Sequence, residues 1–177
     1  MLEQAGIVSV HTNTTADALH HAWRCTAEPQ TRHFLLLQAA AFMPLFRELV
    51  GGGRNAVTIE TLSPSEDEPP SAEALDDVFA TLADDRIGAA RKVLAYLSAG
   101  GAESAFVVRA RHYVVRRTQG YHDYIAEAAF ANATAMTPPW RYRDLAAITP
   151  YLNGPADPIH PAVARVLELP TLGDELR

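Results

Sequence analysis

The chain has 177 residues, of which 48% are apolar and 20% charged, a composition typical of one globular domain with a sizeable core. Its formal net charge of −6 argues against a nucleic-acid-binding protein, because such proteins normally carry a basic face. The one cysteine, Cys25, excludes an intrachain disulfide and a cysteine-based zinc site, and it favours a reducing compartment.

We therefore predict a single domain over residues 1–177 in the cytoplasm. The longest apolar run, residues 34–46, is interrupted by Gln38 and Pro44 and is too short to span a bilayer, so no membrane partner is expected. The N-terminus lacks a basic segment followed by an apolar one, which argues against a secretory signal.

The first two helical segments differ in pattern. The first has a candidate cap at Thr14, although a start near Glu3 fits as well. The second begins with Pro29 and is apolar on nearly every side as far as Val50, which predicts the buried central helix of the fold. Pro44 should kink or divide it, because proline removes one backbone donor.

Residues 51–71 change the character of the chain. Three glycines stop the second helix, and an acidic stretch punctuated by prolines follows. This composition predicts an exposed loop.

The remaining segments again have helical spacing. Apolar residues recur at i, i+3, i+4 and i+7 from Leu75 and once more before Gly100, which predicts an antiparallel pair of amphipathic helices. Further helices are expected over residues 103–118, 121–136 and 162–167, with another after Pro139. The fold class is all-α: a compact array of seven or eight short helices.

Histidine clustering is the first functional signal, because a neutral imidazole binds metals and changes charge near neutral pH. If the first helix is continuous, His11 and His21 point in directions about 80° apart and could line one pocket. Their rise of about 15 Å requires a bend between them before both could hold one metal. The alternative is that His20 and His21 are solvated helix residues and that His11 is a loop residue.

The second signal is His122-Asp123 with Glu127. The two carboxylates are four residues apart and share a helix face, and a carboxylate beside an imidazole can orient it or share a cation with it. We predict His122 and Asp123, with His11, as catalytic or metal-binding residues. The alternative is a surface turn capped by Asp123.

Other polar positions are weaker candidates. His33 interrupts the apolar second helix, so it is either a hydrogen-bonded core residue or a pocket-lining one, and we group it with His21 and Glu127 as ligand-binding candidates. Arg109, Arg116 and Arg117 form a basic stripe that either pairs with the acidic helix at Asp76 or binds an anion. Gly-rich phosphate loops, nucleophile elbows and paired Glu-x-x-His motifs are absent.

Residues 6–20 resemble a segment of questin oxidase-like proteins, in which a His-x-x-Thr motif precedes Ala-Leu. Here the motif is His11 to Thr14, with Ala18-Leu19 after it. The resemblance implies a helical fold, oxygenase chemistry of the Baeyer–Villiger type, and a site role for His11.

Two functions stay open at this point. In the first, an interior pocket lined by histidine and carboxylate binds a metal ion, such as a divalent transition metal, or a small organic ligand, and the protein is an oxidoreductase. In the second, it is a non-enzymatic interaction module that binds a partner protein or forms a homo-oligomer, and its histidines are incidental.

Overall fold

The computed structural model describes residues 7–49, 57–65, 70–117 and 122–169. These contain eight α-helices: α1 (Ile7–Cys25), α2 (Pro29–Leu49), α3 (Ala72–Thr81), α4 (Arg86–Ser98), α5 (Glu103–Arg117), α6 (His122–Ala133), α7 (Trp140–Ile148) and α8 (Pro161–Leu167). A short 3-10 helix, Thr149–Tyr151, continues α7, and none of the described segments forms a β-strand. The prediction of an all-α fold is confirmed.

Local sequence explains the starts of several helices. Ser71 accepts a hydrogen bond from the amide of Ala74 (3.0 Å) at the beginning of α3, and Asp85 accepts one from Gly88 (2.7 Å) at the beginning of α4. Each side chain satisfies a backbone donor that the first helical turn leaves free. Gly100, at a φ of 92°, follows α4 in a conformation that side-chain-bearing residues rarely adopt.

The core is built around α4, which packs against α3, α7 and the 3-10 helix. Small residues allow this close approach, since Ala89 and Ala90 of α4 and Ala146 of α7 are completely buried. Aromatic rings fill the space beside α3 and α5, with Phe79 stacked on Phe106 at a centroid distance of 5.9 Å. The apolar faces that the sequence predicts for α3 and α4 are the faces that are buried.

The prediction that α2 is the buried central helix is wrong. None of its described side chains is buried, and Phe34 and Leu37 are 72% and 68% exposed. The helix packs against α1 and leaves its other sides open. Pro44 does not divide it, because α2 is continuous through that position. In the described part of the chain, no helix has both the length and the hydropathy to cross a membrane.

The predicted exposed loop at 51–71 is described over residues 57–65 and 70–71. Leu62 is buried, with 1% of its surface exposed, so this segment contributes to the core. The guanidinium of Arg143 on α7 holds it by donating to the carbonyls of Ile59 (2.7 Å) and Leu62 (2.9 Å). The acidic residues 66–68 lie outside the described residues.

The basic stripe of α5 forms the predicted internal pair. Arg109 binds the carboxylate of Asp76 on α3, and Arg117 donates to the backbone carbonyl of Asp157. The pairing with the acidic helix is therefore confirmed for Arg109.

Candidate functional site

The two predicted histidines of α1 do not meet. The helix is uninterrupted from Ile7 to Cys25, and the hydroxyls of Thr12 and Thr14 donate to carbonyls one turn earlier (2.8 and 3.1 Å) instead of bending it. His11 and His21 are both exposed and remain about 15 Å apart along the axis. The expectation of a shared pocket is corrected, since His21 instead lies 3.4 Å from the sulfur of Cys25 on the surface.

The second predicted cluster is used mainly in local structure. The carboxylate of Asp123 accepts a hydrogen bond from the amide of Tyr124 (3.0 Å) in the first turn of α6. Glu127 forms a two-point ion pair with Arg111 of α5 (2.9 and 2.8 Å), with both side chains half exposed. The side chain of His122 lies outside the described part of the structure, so its predicted role stays a prediction.

His33 is exposed on α2 and lines neither a core nor a described cavity. Among the described side chains, no three of His, Cys, Asp or Glu are grouped so that they could hold a metal ion. The predicted metal site of His11, His122 and Asp123 depends on the undescribed imidazole and is not supported by the position of His11 on the surface.

A different set of residues encloses a cavity of about 640 Å³. Its walls come from α1, α6, α7, the 3-10 helix and the segment 57–60. Small and aliphatic side chains supply much of the lining, among them Ala128, Ala129, Ala147 and Ile148. The packing of α6 against both α1 and α7 sets the width of the space.

Asp144 is one of three acidic residues that line this cavity, with Asp17 and Glu60. It lies one position before the buried Leu145 of α7, and within the described residues its carboxyl has neither an ion pair nor a hydrogen bond. Burial without a compensating partner raises the pKa of Asp144 from 3.8 to about 6, because a charged carboxylate loses solvation there. Asp144 can therefore gain or lose a proton close to neutral pH.

The part of the lining that α1 and α6 supply carries a chain of three polar side chains. The amide nitrogen of Asn132 on α6 donates to Asp17 on α1 (2.9 Å), and the amide oxygen lies 3.3 Å from Nδ1 of His20. Because the carboxylate only accepts, the amide presents its oxygen to the imidazole, and Nδ1 must be the nitrogen that carries hydrogen. Neutral His20 then keeps an accepting lone pair on Nε2.

A second, smaller cavity of about 340 Å³ lies between α1 and α2. Ala16 and His20 line both cavities, so the two spaces adjoin along α1. The second cavity is otherwise walled by apolar side chains, including Leu19, Trp23 and Met43. It can accommodate an apolar group, and its described lining contains no Asp, Glu, Lys or Arg.

The sequence contained a signal for this site. Asp144, Ile148 and Tyr151 are spaced i, i+4 and i+7, so a carboxylate lies on an apolar helical face. Asn132 lies seven residues after Ile125, so this amide also lies on an apolar helical face. Polar residues in the apolar register of a helix were the better indicator than histidine clustering.

The comparisons with known proteins find no match: no protein-family model, curated protein or solved structure is similar to this chain. The resemblance to questin oxidase-like proteins therefore stays a prediction, as does the oxygenase chemistry that it implies.

Proposed function

We propose that the protein binds a small, largely apolar organic molecule in the cavity between α1, α6 and α7. The ligand presents a hydroxyl or amine to the carboxyl of Asp144. The observation that carries the proposal is this carboxyl, which has no partner in the described structure although it lies in the wall of a largely apolar cavity that is only partly open to water. A buried polar group without a partner is costly, and a ligand donor would offset that cost.

The dimensions and chemistry of the cavity support this function. A volume of about 640 Å³ falls within the range of small-molecule sites, which are mostly apolar with a few polar groups that fix orientation. Asp144 on α7 and His20 on α1 give two such groups. Asp17 and Asn132 hold the imidazole of His20 in one tautomer, so its position is set before a ligand arrives.

The test uses benzylamine and toluene as probes, because they have a similar apolar body and differ in the donor. Chemical shifts of backbone amides in the ¹⁵N-labelled protein report where each probe binds. We expect both to perturb residues that line the cavity, with benzylamine binding about tenfold or more tightly, as a charge-assisted hydrogen bond would give. Ala128→Phe, which fills the cavity, should abolish both effects.

Asp144→Asn should reduce the affinity for benzylamine to that for toluene and leave toluene unchanged. Asp84→Asn is the matched control, because Asp84 is an exposed aspartate outside the cavity. Perturbations confined to residues outside the cavity, or equal benzylamine affinity in wild type and Asp144→Asn, would refute the proposal.

A further inference from the structure

The face of α2 that points away from α1 is an extended apolar surface. Between Arg32 and Arg47 the sequence contains no Asp, Glu, Lys or Arg. Phe34, Leu37 and Leu45 are 72%, 68% and 51% exposed, and Leu49 at the end of the helix is 69% exposed. Six of the fourteen large apolar residues that are exposed in the described part of the chain lie on α2, and none of the other described helices carries more than two.

The central stripe of this face consists of Phe34, Gln38, Ala41 and Leu45, all exposed. At 3.6 residues per turn these positions lie on one side of the helix, and their spacings are four, three and four. This order of spacings is the same in both chain directions. An antiparallel copy of the helix therefore fits the stripe in register, with Phe34 opposite Leu45 and Gln38 opposite Ala41 of the other copy.

The size of the surface agrees with a second copy. From the exposed fractions, the stripe with flanking Leu37, Phe42 and Leu49 presents roughly 600 Å² of apolar side chain. This is at the upper end of what monomers leave exposed, and it supplies most of the about 800 Å² that each partner contributes to a standard interface. Each bulky side chain at the ends of the stripe meets another bulky one, and the long Gln38 meets the small Ala41.

We propose that the exposed face of α2 packs antiparallel against the same face of a second copy of this chain. The interface is isologous, with its twofold axis between residues 39 and 40, and the two α1–α2 hairpins form a four-helix bundle. The two Gln38 amides lie close to the axis, where polar side chains fix the register of paired helices. The cavity of the proposed function lies on the other side of α1 and is not needed for this contact.

Sedimentation equilibrium over protein concentrations from about 1 to 200 µM tests the association. We expect a monomer–dimer equilibrium in wild type, and Phe34→Glu and Leu45→Glu should each weaken it by about 100-fold or more, because each buries a charge opposite an apolar residue. Val115→Glu is the control, because Val115 is 72% exposed but lies on α5. This variant should dimerise as the wild type does. Circular dichroism spectra should be unchanged, since every substituted residue is exposed.

Cross-linking tests the direction of the helices. In a Cys25→Ser background, Phe34→Cys and Leu45→Cys proteins should form a disulfide-linked dimer when mixed under mild oxidation, and far less when each is oxidised alone. Efficient linkage of either protein to itself would overturn the antiparallel register. The proposal would be overturned if the wild type stays monomeric at every concentration, which is the result expected if a different protein or another part of a longer chain covers α2. A dimer that is unaffected by both glutamate substitutions would overturn it as well.

Discussion

Replacing Asp144 by asparagine should stabilise the protein at neutral pH and have little effect at low pH. Asp144 has a pKa of 3.8 when unperturbed and about 6 in the folded protein. The folded state therefore binds the proton more tightly than the unfolded state, and wild-type stability falls as the pH rises from 3.8 to 6. Below 3.8 both states are protonated and the group makes no contribution to this pH dependence.

The magnitude follows from the shift. About two pKa units at 1.36 kcal/mol each would give about 3 kcal/mol, which is an upper limit. The carboxyl faces a cavity that is partly open to water, so screening reduces the expected gain of Asp144→Asn at pH 7 to about 1–2 kcal/mol. Asp17, His20 and Glu60 also line the cavity and are present in both proteins, so the difference between wild type and variant reports on position 144.

Urea unfolding followed by circular dichroism at pH 3.5, 5 and 7 measures the difference between the two proteins. The stability gain of Asp144→Asn should grow from near zero at the lowest pH to its full value above pH 6. Asp84→Asn, an exposed aspartate, should show no comparable trend. A difference that stays constant with pH, or wild type that is the more stable at pH 7, would refute the assignment of Asp144 as an unpartnered, desolvated carboxyl.

Three further measurements test the packing and electrostatics. Phe106→Ala should lower the free energy of unfolding by about 3–5 kcal/mol, because this ring is fully buried. Tyr124→Ala should lower it by less than about 0.5 kcal/mol, because this ring is 67% exposed, and equal losses in chemical unfolding would contradict the described core. Gly154→Ala should cost about 1–3 kcal/mol, because its Cβ would lie 2.6 Å from the carbonyl oxygen of Phe79; an unchanged melting temperature would show that this approach is relaxed. The imidazole of His112 should titrate below pH 6.5 by NMR, since partial burial and then the nearby arginines of α5 lower its pKa; a midpoint at or above 6.5 would contradict that environment.

The amphipathic helices could be predicted from the sequence because their pattern determines both their structure and their buried face. Leu75, Val78 and Phe79 repeat at helical spacing, and all three are buried in α3. Ser71 and Asp85 are residue types that favour helix starts, and each accepts a capping hydrogen bond at the start of its helix. In these segments, local preference and tertiary packing select the same structure.

The position of α2 could not be predicted in this way. A helix that is apolar on every side has no single face that its sequence pattern predicts to be buried. The pattern therefore does not indicate which other element packs against the helix. Within this chain, α1 covers one side, along Leu35, Ala39 and Met43. The central position belongs instead to α4, whose alanines permit closer packing than the large side chains of α2.

Which residues line the cavity could not be predicted from the sequence for a related reason. Residue type identifies groups capable of chemistry, but their meeting depends on distant elements: His20 reaches Asn132 across 112 positions of sequence. Asp144 carries the proposed function because its carboxyl has no partner among the described residues, and that is a property of the folded environment. The sequence spacing of His11 and His21 predicts only how far apart the two residues lie along one helix. The continuous α1 keeps them at that separation.

Two places depart from the otherwise consistent physical pattern of the described structure. Asp144 is a carboxyl whose ionisation at neutral pH opposes folding, and the outer face of α2 keeps large apolar side chains in water. Each departure carries a free-energy cost that a hydrophobic residue at 144, or polar residues along α2, would remove. Neither stabilises the isolated fold, whereas a ligand donor at the first and an apolar helix at the second would each offset the cost. Departures from local consistency are expected at functional sites, and this is why the cavity and α2 carry the functional proposals.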